Sequence, residues 1–412
     1  MRLPSSPGGH LALLLGVFVL TRVLVVAATV AGDPVYPAQD NAFEMTVFEA
    51  WGPALAHGEG DVPLVDQPWE YPAGAVLFVV APALLPVSSY IAGFVGQMLV
   101  VDLAMLVLLA VWGRRRGTLA GAWWWVAVVP LLGPVALGRF DLVPTLLAAG
   151  SVIAAAAAAP FTAGGLLAAG AAVKAWPALL GPLLLALHRR AWRTLAGGLA
   201  VGAAVLVALG RFGGLQHAWS FLTYQRDRGL EVEALAALPL LVRRLTGDPD
   251  VAIAFGFGSW QIHGPGAETL LRLTDLGLVV VVIAMAVLVW RARWQVERLA
   301  PAARGQVVIV LAVVLIAGVV VTNKVLSPQH LVWLAGLVAL ALCWPDSPLR
   351  ATLLPLGGAL VLTHLVYPLL FQDLLAGAVL PVLLLAGRDV LLLVVLAMAG
   401  RAAWRLGTPA DV

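Results

Sequence analysis

Cysteine is nearly absent: Cys343 is the single one in 412 residues. One thiol excludes an internal disulfide and any cysteine-based metal cluster. Lysine is almost as scarce, with only Lys174 and Lys324, so arginine carries the net charge of +3. Charge as a whole is thin. Asp, Glu, Lys and Arg make up 11% of the chain, against roughly 25% in a typical soluble domain. The basic residues gather in short clusters, which speaks for membrane topology and against a nucleic-acid partner. No metal-ligand spacing is present, so neither a metal nor another cofactor is expected.

What is abundant is apolar. Hydrophobic residues make up 61% of the chain, and several runs exceed the roughly 18 residues that read as a membrane-spanning helix. The fold class expected is an all-α polytopic membrane protein, with residues 1–412 forming one transmembrane domain. Leu11–Ala31 lacks a clean cleavage site and reads as a retained first helix. Arg114-Arg115-Arg116, Arg189-Arg190 with Arg193, Arg291 with Arg293 and Arg298, Arg350, and Arg401 with Arg405 are assigned to the cytoplasmic side. Counting spans between them gives about 11 to 12 crossings. Thr118–Leu137, Leu142–Ala159 and His330–Trp344 are among these. Parity leaves residues 74–86 as an interfacial or re-entrant segment. It also predicts that Gly164–Leu187 is two half-helices turning near Lys174, which satisfies both topology and a buried charge. Residues 32–73 and 211–268 become the first and second extracytoplasmic loops. No internal repeat is evident, which disfavours an inverted-repeat transporter.

The scarce acids are unevenly spread. Between Asp33 and Tyr71 lie Asp33, Asp40, Glu44, Glu49, Glu59, Asp61, Asp66 and Glu70, eight of the chain's 22 acidic residues, with no Lys or Arg among them. The assigned topology puts this stretch on the same face as Arg139, Asp141, the Tyr224-Gln225-Arg226-Asp227-Arg228 run, and Asn323-Lys324 through Gln329-His330. Lys174 approaches from within the membrane. Carboxylates able to act as a base thus share one face with cations able to hold a phosphate, where a lipid headgroup would lie. Two intramembrane charges, Arg22 and Asp102, stand apart from this group. Trp123-Trp124-Trp125 reads as an interfacial anchor. Arg388-Asp389 reads as a neutralised pair near a helix end.

Several blocks resemble one family. Trp69-Glu70-Tyr71-Pro72-Ala73-Gly74, Gly138-Arg139-Phe140-Asp141, Lys174-Ala175-Trp176-Pro177, Gln225 through Glu233, and Asn323 through His330 occur in the order seen in actinobacterial members of glycosyltransferase family 87. These are mannosyltransferase-like enzymes of the GT-C superfamily. The resemblance implies a GT-C-like helical bundle in the plasma membrane, with its active site on the extracytoplasmic face. It implies transfer of a hexose, mannose by family likeness, from a polyprenyl-phosphate sugar to a cell-envelope glycolipid or glycan. Membrane lipids are the remaining partners, and the lipid-linked sugar is a substrate rather than a cofactor. Where the family's first loop reads Asp-x-x-x-Tyr ahead of the Trp, this chain has Glu44 and Phe48 ahead of Trp51, with Asp40 four residues upstream. Ala73 and His330 also replace the Pro and Tyr expected there.

The chemistry needs one base. A phosphate leaves readily without a general acid, so a single carboxylate suffices for an inverting displacement. Either Glu44 or Asp40 is the expected base. Arg139, Lys174, Arg228 and Lys324 are the expected phosphate contacts. Asp141, Trp69, Glu70, Tyr71, Gln225, Arg226, Gln329 and His330 are expected to line the substrate site. The competing readings are a lipid or sugar flippase, and an inactive family member acting as a scaffold.

Overall fold

The computed structural model describes residues 7–31, 40–58, 60–87, 89–187, 190–296, 299 and 301–406. Asp33, Glu59, His188, Arg189 and Arg298 lie outside them. So do the side chains of Asp40 and Glu44, although both positions belong to a helix.

The described chain is almost wholly helical. In order come α1 (Pro7–Ala31), α2 (Asp40–His57), α3 (Val76–Leu84), α4 (Tyr90–Arg114), α5 (Ala120–Leu132), α6 (Leu142–Ala156), α7 (Pro160–Val173), α8 (Gly181–Leu187) and α9 (Ala191–Phe212). Next are α10 (Ser220–Asp227), α11 (Leu238–Leu245), the strands β1 (Ala252–Gly256) and β2 (Ser259–His263), and α12 (Ala267–Val296). The chain closes with α13 (Pro301–Thr322), α14 (His330–Ala341), α15 (Leu353–His364), α16 (Phe371–Ala376) and α17 (Val379–Leu406). This is the all-α polytopic membrane fold expected from composition. Its one sheet among the described residues is the β1–β2 hairpin. Phe257 and Gly258 form the two-residue turn, with φ of 51° and 68°. Two consecutive positive φ values match the twist of the paired strands.

Seven helices among the described residues are long and apolar enough to cross a membrane. The expected spans Thr118–Leu137, Leu142–Ala159 and His330–Trp344 are instead shorter apolar helices, α5, α6 and α14. A helix of 12 residues, such as α14, is about 18 Å long, well under a hydrocarbon core of about 30 Å. Every residue of α14 is buried, as befits a helix that is apolar all round. Beside it, α13 forms the centre of the bundle. Of its apolar window 89% is buried, against 11% for α9, which leaves α9 at the periphery. The short α3, nine residues long, spans only about 14 Å.

The predicted break near Lys174 is present. α7 ends at Val173, Lys174 is extended (φ −150°, ψ 132°), and a 3₁₀ turn over Trp176–Leu180 leads into α8. Glycines let α7 press against α9. A Cβ on Gly164 would run into the Thr194 carbonyl, and one on Gly197 into the Phe161 carbonyl. Small residues at such positions allow backbones to approach closely.

The two stray intramembrane charges pair with each other. Arg22 Nε donates to Asp102 Oδ2 at 2.7 Å, and its Nη2 to Oδ1 at 3.0 Å. The Trp125 indole donates to Asp102 Oδ1 at 2.8 Å, and Arg22 Nη1 donates to the Val126 carbonyl at 2.6 Å. Trp125 is therefore not an interfacial anchor. Trp125 is buried in this network, and Trp124 donates to the Ala335 carbonyl at 3.2 Å. The paired charges join α1, α4 and α5.

Removing one partner strands a buried charge. Asp102→Ala is expected to cost about 3–5 kcal/mol, whereas the combined Arg22→Met, Asp102→Leu exchange costs far less. Denaturant unfolding of purified protein in detergent checks both.

Candidate functional site

A cavity of about 530 Å³ opens among α10, the hairpin, the Lys174 break and the segment before α14. That size suits a small-molecule ligand. Its base is a single polar cluster. Lys174 Nζ donates to both carboxylate oxygens of Asp141, at 2.8 and 2.9 Å, and the Trp333 indole donates to Asp141 Oδ1 at 2.6 Å. Asp141 stands at the N-cap of α6, yet its side chain makes no capping bond. The carboxylate is spent on the buried cation instead, where an unpaired charge would be far more costly than an uncapped helix. Above the pair, Trp176 and Trp333 stack with ring centroids 5.2 Å apart and planes 16° off parallel. His330 packs on Trp333 at 4.2 Å.

The other predicted cations also reach the cavity wall: Arg139, Arg228 and Lys324 all line it. They are not equivalent. Lys324 Nζ donates to the carbonyls of Arg226 and Arg228 at 2.8 and 2.6 Å, so it straps the α10 end to its own segment. Burial lowers its ammonium below the ordinary lysine value. Arg139 Nη1 donates to the Gly138 carbonyl at 3.2 Å. Arg228 Nε is buried with no protein hydrogen-bond partner.

Of the residues predicted to line a substrate, Glu70, Tyr71, Gln225, Gln329 and His330 border the cavity. The others sit elsewhere. Arg226 turns to solvent and pairs with Asp227 at 2.8 Å, its side chain 75% exposed. Trp69 is buried behind Tyr71 in an aromatic cluster with Trp51. Asp141 lies beneath Lys174 rather than on the wall. Phe48, which takes the family's Tyr position, is fully buried against Trp51, Tyr71, Phe94 and Phe140. That cluster packs α2 against the cavity wall at Tyr71.

Two glutamates had no role in the sequence reading although they lie in a quoted block. Glu231 and Glu233 both line the cavity. The Glu231 amide donates to the Lys324 carbonyl at 3.0 Å, and the flanking Leu230 and Val232 pair with β2. Its Oε1 accepts from Ser327 at 2.8 Å, while Oε2 is buried without a hydrogen-bond partner. Burial pushes this carboxyl above its ordinary range, against the opposing pull of Arg228. Glu233 is fixed from behind. Arg388 donates to its carbonyl and lies 3.9 Å from its carboxylate, while also pairing with Asp389. Arg388 is therefore not a self-contained pair at a helix end. It is the tenth residue of the 28 in α17, and it clamps the cavity wall. Alternating polar and apolar residues over Gly229–Glu233 were the available signal for this wall. The Trp333 role was hinted at by its spacing three residues beyond His330, one turn along a helix.

The class these features define is a multi-pass helical membrane protein with a cavity lined by Arg139, Lys174, Arg228, Lys324 and the indoles of Trp176, Trp260 and Trp333. Residues 69–258, a little under half of the chain, match glycosyltransferase family 87, so this stretch is similar to the membrane glycosyltransferases of that family. The matched stretch holds Glu70, Arg139, Asp141, Lys174, Arg228 and Glu231. No curated protein and no solved structure gives a significant match.

The raised Glu231 carboxyl has a sign that can be tested. The folded protein binds this proton more tightly than the unfolded chain. The group's contribution to stability is thus complete below about pH 4.5 and is lost as pH rises through the folded value. Glu231→Gln should gain on wild type as pH rises above about 4.5, read as a widening difference in apparent melting temperature.

Proposed function

We propose that the protein transfers a hexose from a polyprenyl-phosphate sugar to a cell-envelope glycolipid or glycan on the extracytoplasmic face of the plasma membrane. Arg228 carries the reading. It lines the cavity with a buried guanidinium nitrogen that no protein group satisfies. A phosphate oxygen is the natural acceptor, since guanidinium pairs with phosphate through charge-assisted bonds. Lys174, Lys324 and Arg139 already hold protein acceptors, so they set the positive potential around the phosphate and contribute whatever donors remain. As the sugar–phosphate bond breaks, this field stabilises the charge gathering on the leaving phosphate. Mannose is favoured as the sugar by family likeness.

The base in this proposal is Glu44 or Asp40. Positions 40, 44 and 48 are four residues apart, so they fall on one stripe of α2. Phe48 on that stripe packs against Tyr71, and Tyr71 borders the cavity. The carboxylate takes the acceptor hydroxyl's proton as its oxygen attacks the anomeric carbon, and phosphate departs from the opposite face. The product has inverted configuration.

Transfer of label from a polyprenyl-phosphate [¹⁴C]mannose in proteoliposomes tests this. Arg228→Ala is expected to lose roughly ten- to a hundredfold in rate, because one hydrogen bond to a charged group contributes about 1.5–3 kcal/mol. Arg228→Lys should recover only part of it. Glu44→Gln or Asp40→Asn should lose about 10²–10⁴-fold, whichever is the base. Full activity in both acid variants sinks the base assignment, and lipid flipping without transfer sinks the reaction.

A further inference from the structure

Glu231 stands out once the cavity's hydrogen bonds are followed. Buried polar groups in proteins are nearly always paired. Around this cavity, the buried atoms without a protein partner include Arg228 Nε, Glu231 Oε2, Ser259 Oγ, Trp176 Nε1 and His330 Nδ1. Arg228 suits a phosphate, but a phosphate ester has no hydroxyl to offer a carboxyl oxygen. Glu231 Oε2 calls for a ligand that donates a hydrogen bond. We propose that Glu231 is the residue that reads the sugar of the lipid-linked donor, accepting a hydrogen bond from a ring hydroxyl through Oε2.

The geometry is favourable in two ways. Glu231 follows Arg228 by three residues, and Arg228 is the cation that acts on it most strongly. A hexose joined to a phosphate at Arg228 therefore brings its hydroxyls within reach. The carboxyl is also rigid. Ser327 holds Oε1, and its own amide and both neighbours are tied to the Lys324 segment and to β2. A fixed acceptor discriminates among hydroxyl configurations better than a mobile one, because a misplaced hydroxyl leaves a buried group unpaired.

This inference rests on the phosphate reading above, and one titration separates the two. Purified full-length protein is titrated with decaprenyl phosphate and with decaprenyl-phosphate mannose in the same detergent, for wild type, Glu231→Gln, Glu231→Ala and Ser327→Ala. The expected result is that wild type binds both lipids, the sugar-bearing one more tightly. Both Glu231 variants then lose about tenfold or more for the sugar-bearing lipid and less than about twofold for the sugar-free one. Ser327→Ala, which leaves the carboxyl in place but unanchored, shows a smaller loss of the same selectivity. Equal weakening toward both lipids, or no change toward either, overturns the assignment and makes Glu231 a structural group. Wild type that binds both lipids equally also overturns it while leaving the phosphate reading intact. Wild type that binds neither overturns the phosphate reading, and this one with it.

Discussion

The bond on which the site depends is the two-pronged grip of Asp141 on Lys174. An ammonium group at the break between two apolar helices would be prohibitively costly alone. Its carboxylate partner stands at the start of α6, and the Trp333 indole reaches the same carboxylate from α14. Three separate parts of the chain are thereby fixed to one point. The break after α7 is set, α6 forgoes its own cap, and the indole of Trp333 is held where Trp176 can stack on it. The cavity rises directly above this cluster.

The same economy governs the other charges. Arg22 and Asp102 neutralise each other between α1, α4 and α5. Arg388 meets Asp389 and the Glu233 segment, and Lys324 meets two carbonyls. Arg228 Nε and Glu231 Oε2 are buried without a protein hydrogen-bond partner, and both residues border one cavity. The ligand proposed above, carrying both a phosphate and hydroxyls, would satisfy both.

Much of this was legible beforehand. Composition announced a helical membrane protein, and parity around Lys174 required the broken helix that is found. Arg139, Lys174, Arg228 and Lys324 were all singled out, and all line the cavity. Where the reading missed, the reason is physical. Trp69 and Trp125 are amphipathic side chains whose sequence neighbourhood suits a wet or interfacial position as well as a buried one. Arg226 and Arg228 lie two residues apart and look alike in sequence, but the end of α10 turns one to solvent and the other to the cavity wall. Glu231 was passed over because a loop acid is ordinarily solvated, and only pairing with β2 buries it.

The chain by itself determined the class of fold, the placing of its few cations and the position of its break, because hydropathy and residue scarcity are local properties of a linear string. Only the tertiary structure decided which charges pair. Asp141 finds Lys174 across 33 residues and Trp333 across 192, and Arg22 finds Asp102 across 80. Such choices depend on which helix faces meet, and in an apolar medium a charge takes whichever partner the packing brings within reach.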